Sequence, residues 1–544
     1  MLFRSNKERI AALRTRKANV RIFEGFPIRS WDHWVDERQV RVFAMPMDDQ
    51  GSPGGAPRDL LAGTRLAANP GFAGRQTDIG EELELEFTPD NKAVLFAATT
   101  NRHQSAYSFT DAQLFIADLA GGEPRAITSG GVRWSFPRFT PDGRTLLALV
   151  EETGANVYNA TRLAAFSWPD LGRHRIVSGE IDRSVGTYAV TPDSRRIYFT
   201  AEDSGREKLF SVALTGGKVT EAFAAGEGSY TNVTIPQRAG SFTMYANWES
   251  ASAPAEVAYL NAQTDRHMVL TKFNGSRTTN LDLPRIQDFW FTSSRGKRIH
   301  SFLVRPPGFS PSKRYPLFVV IHGGPHGMWR DQFFIRWNYH LLASSGYVLL
   351  LTNYSGSTGF GEGFARSIQG DPLKGPADEI NEAADAAIRE FAFIDGTRQC
   401  AGGASYGGHL ANWLQATTGR YKCLVSHAGL VNLESQWGTS DTIYSREVNM
   451  GGPPWEQNPL WREQNPIRYA ERFRTPVLVT IGENDFRVPL NNTLEYWSAL
   501  QRQQVPSRLL VFPDENHWIL KGENSRLFYS ELNAWLARWL AAAD

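Results

Sequence analysis

Gly403-Ala404-Ser405-Tyr406-Gly407 decides the reading of this chain. Arg398-Gln399-Cys400-Ala401 before it suits a short strand ending at Gly402, and His409 to Ala416 after it suits two helical turns. Gly-x-Ser-x-Gly between a strand and a helix is a nucleophile elbow: the chain turns sharply, small neighbours leave room, and the serine hydroxyl stands clear of the sheet. The helix that follows starts beneath the charge that develops in acyl transfer. Glycine and serine are common, so the pentapeptide alone is also compatible with an inert turn, and its surroundings must carry the case.

Those surroundings supply two partners in the order Ser, acid, His expected of an α/β-hydrolase sheet. Asp485 lies in Gly482-Glu483-Asn484-Asp485-Phe486-Arg487-Val488-Pro489, beyond the apolar run Val477 to Ile481, where open α/β sheets place their ligands. Glu483 and Asp514 are rivals for the acid. His517 follows the run Arg508 to Phe512 in Pro513-Asp514-Glu515-Asn516-His517-Trp518. A neutral hydroxyl needs such a base within reach and a carboxylate to orient it. His322-Gly323-Gly324-Pro325-His326-Gly327 follows the run Leu317 to Ile321. Its glycines let backbone approach a substrate, so Gly324 is the candidate for one oxyanion N–H and Tyr406, next to the nucleophile, for the other. Asn353 to Gly361 is glycine-rich without the Gly-Lys-Ser/Thr of a phosphate loop and is expected to pack beside the elbow. The excursion from Gly429 to Ala470 carries Trp437, Tyr444, Trp455 and Trp461 and suits a pocket wall; core packing accounts for such aromatics equally well.

The 544 residues exceed one hydrophobic core, so two domains are expected, with a change of character near residue 286. Upstream, Phe87-Thr88-Pro89-Asp90 recurs as Phe139-Thr140-Pro141-Asp142 and Val190-Thr191-Pro192-Asp193, spaced by 52 and then 51 residues, with a weaker copy at Ile235-Pro236-Gln237. Gly-Gly turns at Gly121-Gly122 and Gly216-Gly217 recur in phase, and Gly54-Gly55 is an earlier relative. Strand, Pro-Asp turn, strand, Gly-Gly turn, strand describes a four-stranded antiparallel blade, and blades at this period close into a β-propeller; about five units fit between residues 20 and 285. Downstream, apolar strands alternate with amphipathic helices near Asp378 to Ala392, Asn491 to Gln503 and Ser525 to Ala542, as in a mostly parallel sheet covered on both faces. The expected division is therefore 1–285, propeller, and 286–544, α/β-hydrolase.

Composition is that of an ordinary globular protein: 41% hydrophobic, 21% charged, and a formal net charge of +1 from 58 basic and 57 acidic side chains. Nothing in it points to nucleic acid or to a membrane surface. Apolar runs fall short of a membrane span. Cys400 and Cys423 read as buried small hydrophobes rather than a disulfide framework. No metal-ligand motif stands out, and the chemistry needs neither metal nor cofactor. The N-terminal MLFRSNKERIAALRTRKANVR is basic without the apolar core of a secretory signal, which makes cytoplasmic the default.

Taken with these motifs, the chain resembles the prolyl oligopeptidase family of serine peptidases, in the branch of acylaminoacyl-peptidases and bacterial dipeptidyl-peptidases. His322 to Pro325, Asn353 to Gly361, Gly403 to Gly408, Asp485 to Pro489 and Glu515 to Trp518 carry the likeness in the family's order, and it extends upstream through the Thr-Pro-Asp repeats. The resemblance implies a propeller that screens out folded proteins and a site acting on short peptides. Ser405 becomes the nucleophile, Asp485 the orienting acid, His517 the base, and Gly324 and Tyr406 the oxyanion donors. It further implies that Arg487 holds a substrate carbonyl, with a surface ion pair as the alternative, and that Val488 walls the pocket for the residue before the cut; Trp455 is the aromatic candidate for substrate binding. Dipeptidyl cleavage also needs carboxylates for a free α-amine, and Asp32, Asp36, Glu37, Glu180 and Asp182 all qualify. Family members are longer at the N-terminus and often carry a signal sequence, so an incomplete N-terminus leaves periplasmic or secreted as the alternative to cytoplasmic. A reduced ring would expose strand edges that favour a homo-oligomer.

Overall fold

The computed structural model describes residues 18–541 apart from 37, 78–79, 224–225 and 238–241, so Glu37 and most of the basic N-terminal stretch lie outside it. The Thr-Pro-Asp repeat builds the upstream half. In each copy the threonine hydroxyl donates to the aspartate two residues on and accepts the N–H of the residue five on: Thr88 with Asp90 and Ala93 (2.7 and 3.0 Å), Thr140 with Asp142 and Thr145 (2.6 and 3.1 Å), Thr191 with Asp193 and Arg196 (2.6 and 3.0 Å). These side chains close the hairpin turn in place of water. The Ser194 hydroxyl then accepts the N–H of Asp142, joining one turn to the next at 3.1 Å.

Each turn heads a blade. Four four-stranded antiparallel sheets follow one another, built on the long strands Ala93–Ala98, Thr145–Glu152, Arg196–Asp203 and Met244–Ser250. Where about five units were expected, the described residues upstream of the first complete blade give only three two-stranded pieces, because the strands flanking the turn at Gly54-Gly55 are two residues long each, Phe43–Ala44 and Arg58–Asp59.

The second half is an eight-stranded sheet of β1 (Gln287–Thr292), β2 (Arg298–Val304), β3 (Tyr315–Ile321), β4 (Val348–Asn353), β5 (Ile394–Ala404), β6 (Cys423–His427), β7 (Val477–Gly482) and β8 (Ser507–Phe512), in the order β1-β2-β4-β3-β5-β6-β7-β8. β1 and β2 are antiparallel to their neighbours and the rest of the sheet is parallel. Alternation along β3 shows how both faces are covered. Leu317, Val319 and Ile321 pack in one core with α1 (Lys374–Glu390), α2 (Tyr406–Thr417) and α3 (Leu490–Arg502). Phe318 and Val320 face the other core, filled by Phe528, Leu532, Trp535 and Leu536 of α4 (Gly522–Leu540). Among the described residues no helix is long and apolar enough to cross a membrane.

Blades and sheet are tied by polar contacts. Arg206 makes a bidentate pair with Asp288 of β1 (3.0 and 2.7 Å). The Asp331 carboxylate, buried after the Gly323-Gly324 loop, accepts the N–H groups of Gly228 and Ala251 (2.6 and 2.7 Å). The blades therefore stand over the carboxyl ends of the strands, on the side where Ser405 lies.

Candidate active site

β5 is longer than its sequence pattern suggests and runs to Ala404; α2 begins at once, at Tyr406, through two glycines that helix propensity disfavours. Close approach explains the glycines. A Cβ at Gly403 or at Gly407 would sit 2.1 or 2.2 Å from the same atom, the Ile321 carbonyl oxygen at the end of β3. Ser405, between them, is held at φ 59°, a left-handed conformation that costs a non-glycine residue of the order of 1 kcal/mol or more. Its N–H donates to the His427 carbonyl of β6 at 2.9 Å, so the neighbouring strand's end fixes the elbow.

Asp485 and His517 meet although they lie on loops after different strands. His517 Nδ1–H donates to Asp485 Oδ2 at 2.6 Å. The other carboxylate oxygen, Oδ1, accepts the N–H groups of Arg487 and Val488 at 3.0 and 2.8 Å. Both side chains are buried. The rival acids stand elsewhere: Glu483 is exposed, and Asp514 pairs with Lys521 at the surface. Ser405 and His517 line one cavity of about 400 Å³ together with Gly323, Gly324 and Arg487. A Cβ on Gly323 would approach the Ser405 Cβ to 3.3 Å, so this loop passes directly over the nucleophile candidate. Gly324 has φ 115°, and a side chain there would also meet the His326 nitrogen at 2.7 Å. Tyr406 is the first residue of α2, beside Ser405. The Asn353 to Gly361 loop packs beside the elbow through Tyr354, stacked on His322 at 4.3 Å and on Tyr406 at 5.7 Å.

The pocket residues divide. Arg487 lines the cavity, but its guanidinium is committed to Asp441 at 2.7 and 3.0 Å. Val488 is buried with Leu430, Leu433, Met450 and Trp461. Trp455 does not join the site: it is 67% exposed and stands edge-on to Trp437, because the excursion turns Trp461 inward and leaves Trp455 outside. Among the described acidic candidates Asp32 alone contacts the His517 loop, accepting the Asn516 side-chain amide at 2.8 Å. Asp36 pairs with Arg38, Glu180 is exposed, and Asp182 caps the N–H of Glu362.

Three residues that sequence reading passed over complete the site: Trp31, Asp441 and His427. Of these only His427 carried a signal, its place at the carboxyl end of a parallel strand. Its ring is fixed by the Thr480 hydroxyl at Nδ1 (2.8 Å) and the His517 carbonyl at Nε2 (3.2 Å). Burial, reinforced by the neighbouring His517, pushes its pKa down to about 3. A histidine in the unfolded chain takes up its proton near pH 6.5. Below that pH the unfolded chain binds a proton that the folded state refuses, so this group's stabilisation is complete above about 6.5 and is lost as pH falls toward its folded value. The loss should reach roughly 3 kcal/mol by pH 4. Urea unfolding of wild type and His427→Gln between pH 6.5 and 4 should therefore give a shallower decline for the variant; parallel declines would contradict it.

Residues 332–543 match the prolyl oligopeptidase family. Over 96% of this chain, dipeptidyl-peptidase 5 of Porphyromonas gingivalis is 28% identical and that of Schizosaccharomyces pombe 26%, with 75% of each relative covered. Two solved structures share the fold. An acylaminoacyl peptidase of Pyrococcus horikoshii superposes with a TM-score of 0.77 at 19% identity, over 97% of this chain and 79% of that one. A puromycin-hydrolyzing peptidase of Mycobacterium tuberculosis gives 0.67 at 18% identity, over 96% and 86%.

Proposed function

This chain belongs to the prolyl oligopeptidase family of serine peptidases through residues 332–543, and from that premise we propose that it releases dipeptides or acylated residues from the N-termini of short peptides. In this reading Ser405 attacks the scissile carbonyl while His517 Nε2 takes its proton. Asp485 holds the imidazole in the tautomer that leaves Nε2 free to accept. The N–H groups of Gly324 and Tyr406 stabilise the oxyanion, each worth roughly 3 kcal/mol of barrier. His517 then returns the proton to the leaving amine, and water resolves the acyl-enzyme by the same steps. Residues 1–285 serve as the propeller that restricts entry and 286–544 as the catalytic domain. The observation that carries the reading is the His517–Asp485 hydrogen bond, made at the wall of the cavity into which the strained Ser405 opens. Val488, under the Asp485 loop, borders the pocket for the residue before the cut.

Chromogenic aminoacyl-dipeptides and acyl-aminoacyl substrates, each with a free and an acetylated N-terminus, test it. Turnover of the free series identifies dipeptide release, and turnover of the blocked series identifies release of acylated residues. A kcat/KM for short acyl esters far above that for every peptide would overturn the proposal in favour of a carboxylesterase.

A further inference from the structure

Residues 29–34 form a hairpin, Arg29–Ser30 paired with His33–Trp34, far upstream of the catalytic loops in sequence yet in contact with both of them. Its apex is Trp31, at φ 57°, a left-handed conformation rare for a bulky side chain. A residue is kept in such a conformation when its surroundings over-determine it, and here they do. The Trp31 carbonyl accepts the N–H of Phe486, the residue after Asp485, at 2.9 Å. The Trp31 N–H donates at 2.8 Å to Asp441, the carboxylate that also holds Arg487. Next in the hairpin, Asp32 accepts the side-chain amide of Asn516, the residue before His517. Asn516 in turn accepts the N–H of Trp518, on the other side of His517, at 2.9 Å.

The indole completes the set. It stands edge-on to the His517 imidazole, with centroids 5.2 Å apart and planes at 69°, and edge-on to Trp518 at 5.0 Å and 71°. The Arg487 guanidinium lies over it at 5.1 Å. Trp31 also lines the cavity that holds Ser405. The geometry matters because one hydrogen bond at Nδ1 fixes a point of the imidazole, not its plane. The plane decides whether Nε2 can reach a serine oxygen, and an aromatic edge packed on the ring restricts it.

We propose that Trp31 is a positioning residue for His517, and that the 29–34 hairpin is a working part of the acid–base apparatus supplied from upstream of the blades. The inference rests on the serine-peptidase reading of the site. A displacement near 1 Å in a reacting group lowers rate about 100-fold, so Trp31→Ala should lower kcat by roughly 10–100-fold and change KM by less than about 3-fold.

The test uses the full chain as wild type, Trp31→Ala, Trp31→Phe and Asp32→Ala. Two quantities are read: kcat and KM on a peptide substrate, and the rate at which a fluorophosphonate labels Ser405, which needs the base but no peptide recognition. Trp31→Ala should lose kcat and labelling rate together. Trp31→Phe, which keeps an aromatic edge, should recover most of both, a rescue that a filler of space alone does not require. If Trp31→Ala fails to unfold cooperatively, Asp32→Ala, which breaks the Asn516 tether and the neighbouring His33 contact and leaves the indole in place, carries the same expectation in milder form. The proposal is overturned if the folded variants label and turn over within about 3-fold of wild type, or if only KM rises, which makes Trp31 a substrate wall. Wild type that labels while the variants are unaffected overturns the hairpin's role alone. Wild type that does not label overturns the peptidase reading and this proposal with it.

Discussion

Ser405→Ala will lower kcat on peptide substrates by about 10⁴–10⁶-fold and leave KM little changed. In the proposed mechanism the hydroxyl oxygen is the atom that bonds to the acyl carbon, so without it the cavity would only bind substrate and present the proposed oxyanion donors to attack by water. The size of the loss follows from cooperation: base and acid act through that oxygen, and once it is gone they add nothing. The variant should fold. The elbow is held by backbone contacts, the Ser405 N–H to His427 O and the His409 N–H to Ser405 O, both at 2.9 Å, and by the clearance around Gly403 and Gly407. Alanine keeps all of these and bears the same left-handed strain as serine. Steady-state kinetics, with circular dichroism as the folding control and fluorophosphonate labelling as an independent count of active serines, checks it. Peptide turnover within tenfold of wild type would remove Ser405 from the reaction.

How much of this was legible in the sequence depends on the range of the force involved. The glycines around Ser405 could be read because the requirement is local: a sharp strand-to-helix turn under a neighbouring carbonyl tolerates no Cβ. The Thr-Pro-Asp blades could be read for the same reason, since the threonine hydroxyl closes a turn only five residues long. The Asp485–His517 contact was open to inference because the order of elements in a parallel sheet fixes which loops adjoin. The start of α2 was harder: Gly407 and Gly408 weaken a helix on propensity, and the tertiary approach of Gly429 that demands Gly408 leaves no local trace. Asp441 offered no signal at all. Its pairing with Arg487 joins two loops with no shared periodicity, and the charge balance of the whole chain is silent on which arginine is neutralised. Trp31 is the extreme case, since a tryptophan in a turn-rich upstream segment reads as ordinary packing until the hairpin is seen against His517. Trp455 failed in the opposite sense. Aromatic content marked the excursion as a wall, but composition cannot say which face of a loop turns inward.

Asp485→Asn should lower kcat by about 10³–10⁴-fold although it is nearly isosteric. The reason is donor and acceptor inventory. Oδ1 of Asp485 accepts two backbone N–H groups, from Arg487 and Val488, so whatever atom stands there must be an acceptor. An asparagine therefore places its carbonyl oxygen at that position and turns its NH₂ toward His517 Nδ1. The amide nitrogen cannot accept a hydrogen bond from Nδ1–H and instead donates one to Nδ1. The imidazole must then carry its own proton on Nε2, the nitrogen that in the proposed mechanism receives the proton from Ser405. The imidazole is then present but in the wrong tautomer. Two further outcomes separate this account from simple loss of charge. Activity of the variant should recover in part as pH is raised, where hydroxide or a deprotonated serine relieves the need for a base. Asp485→Ala, which imposes no tautomer, should be damaged no more than Asp485→Asn despite removing more atoms, provided thermal unfolding shows both folded. An asparagine variant within tenfold of wild type at neutral pH would mean that the 2.6 Å contact does not set the state of the imidazole, and the acid would then have to be sought elsewhere.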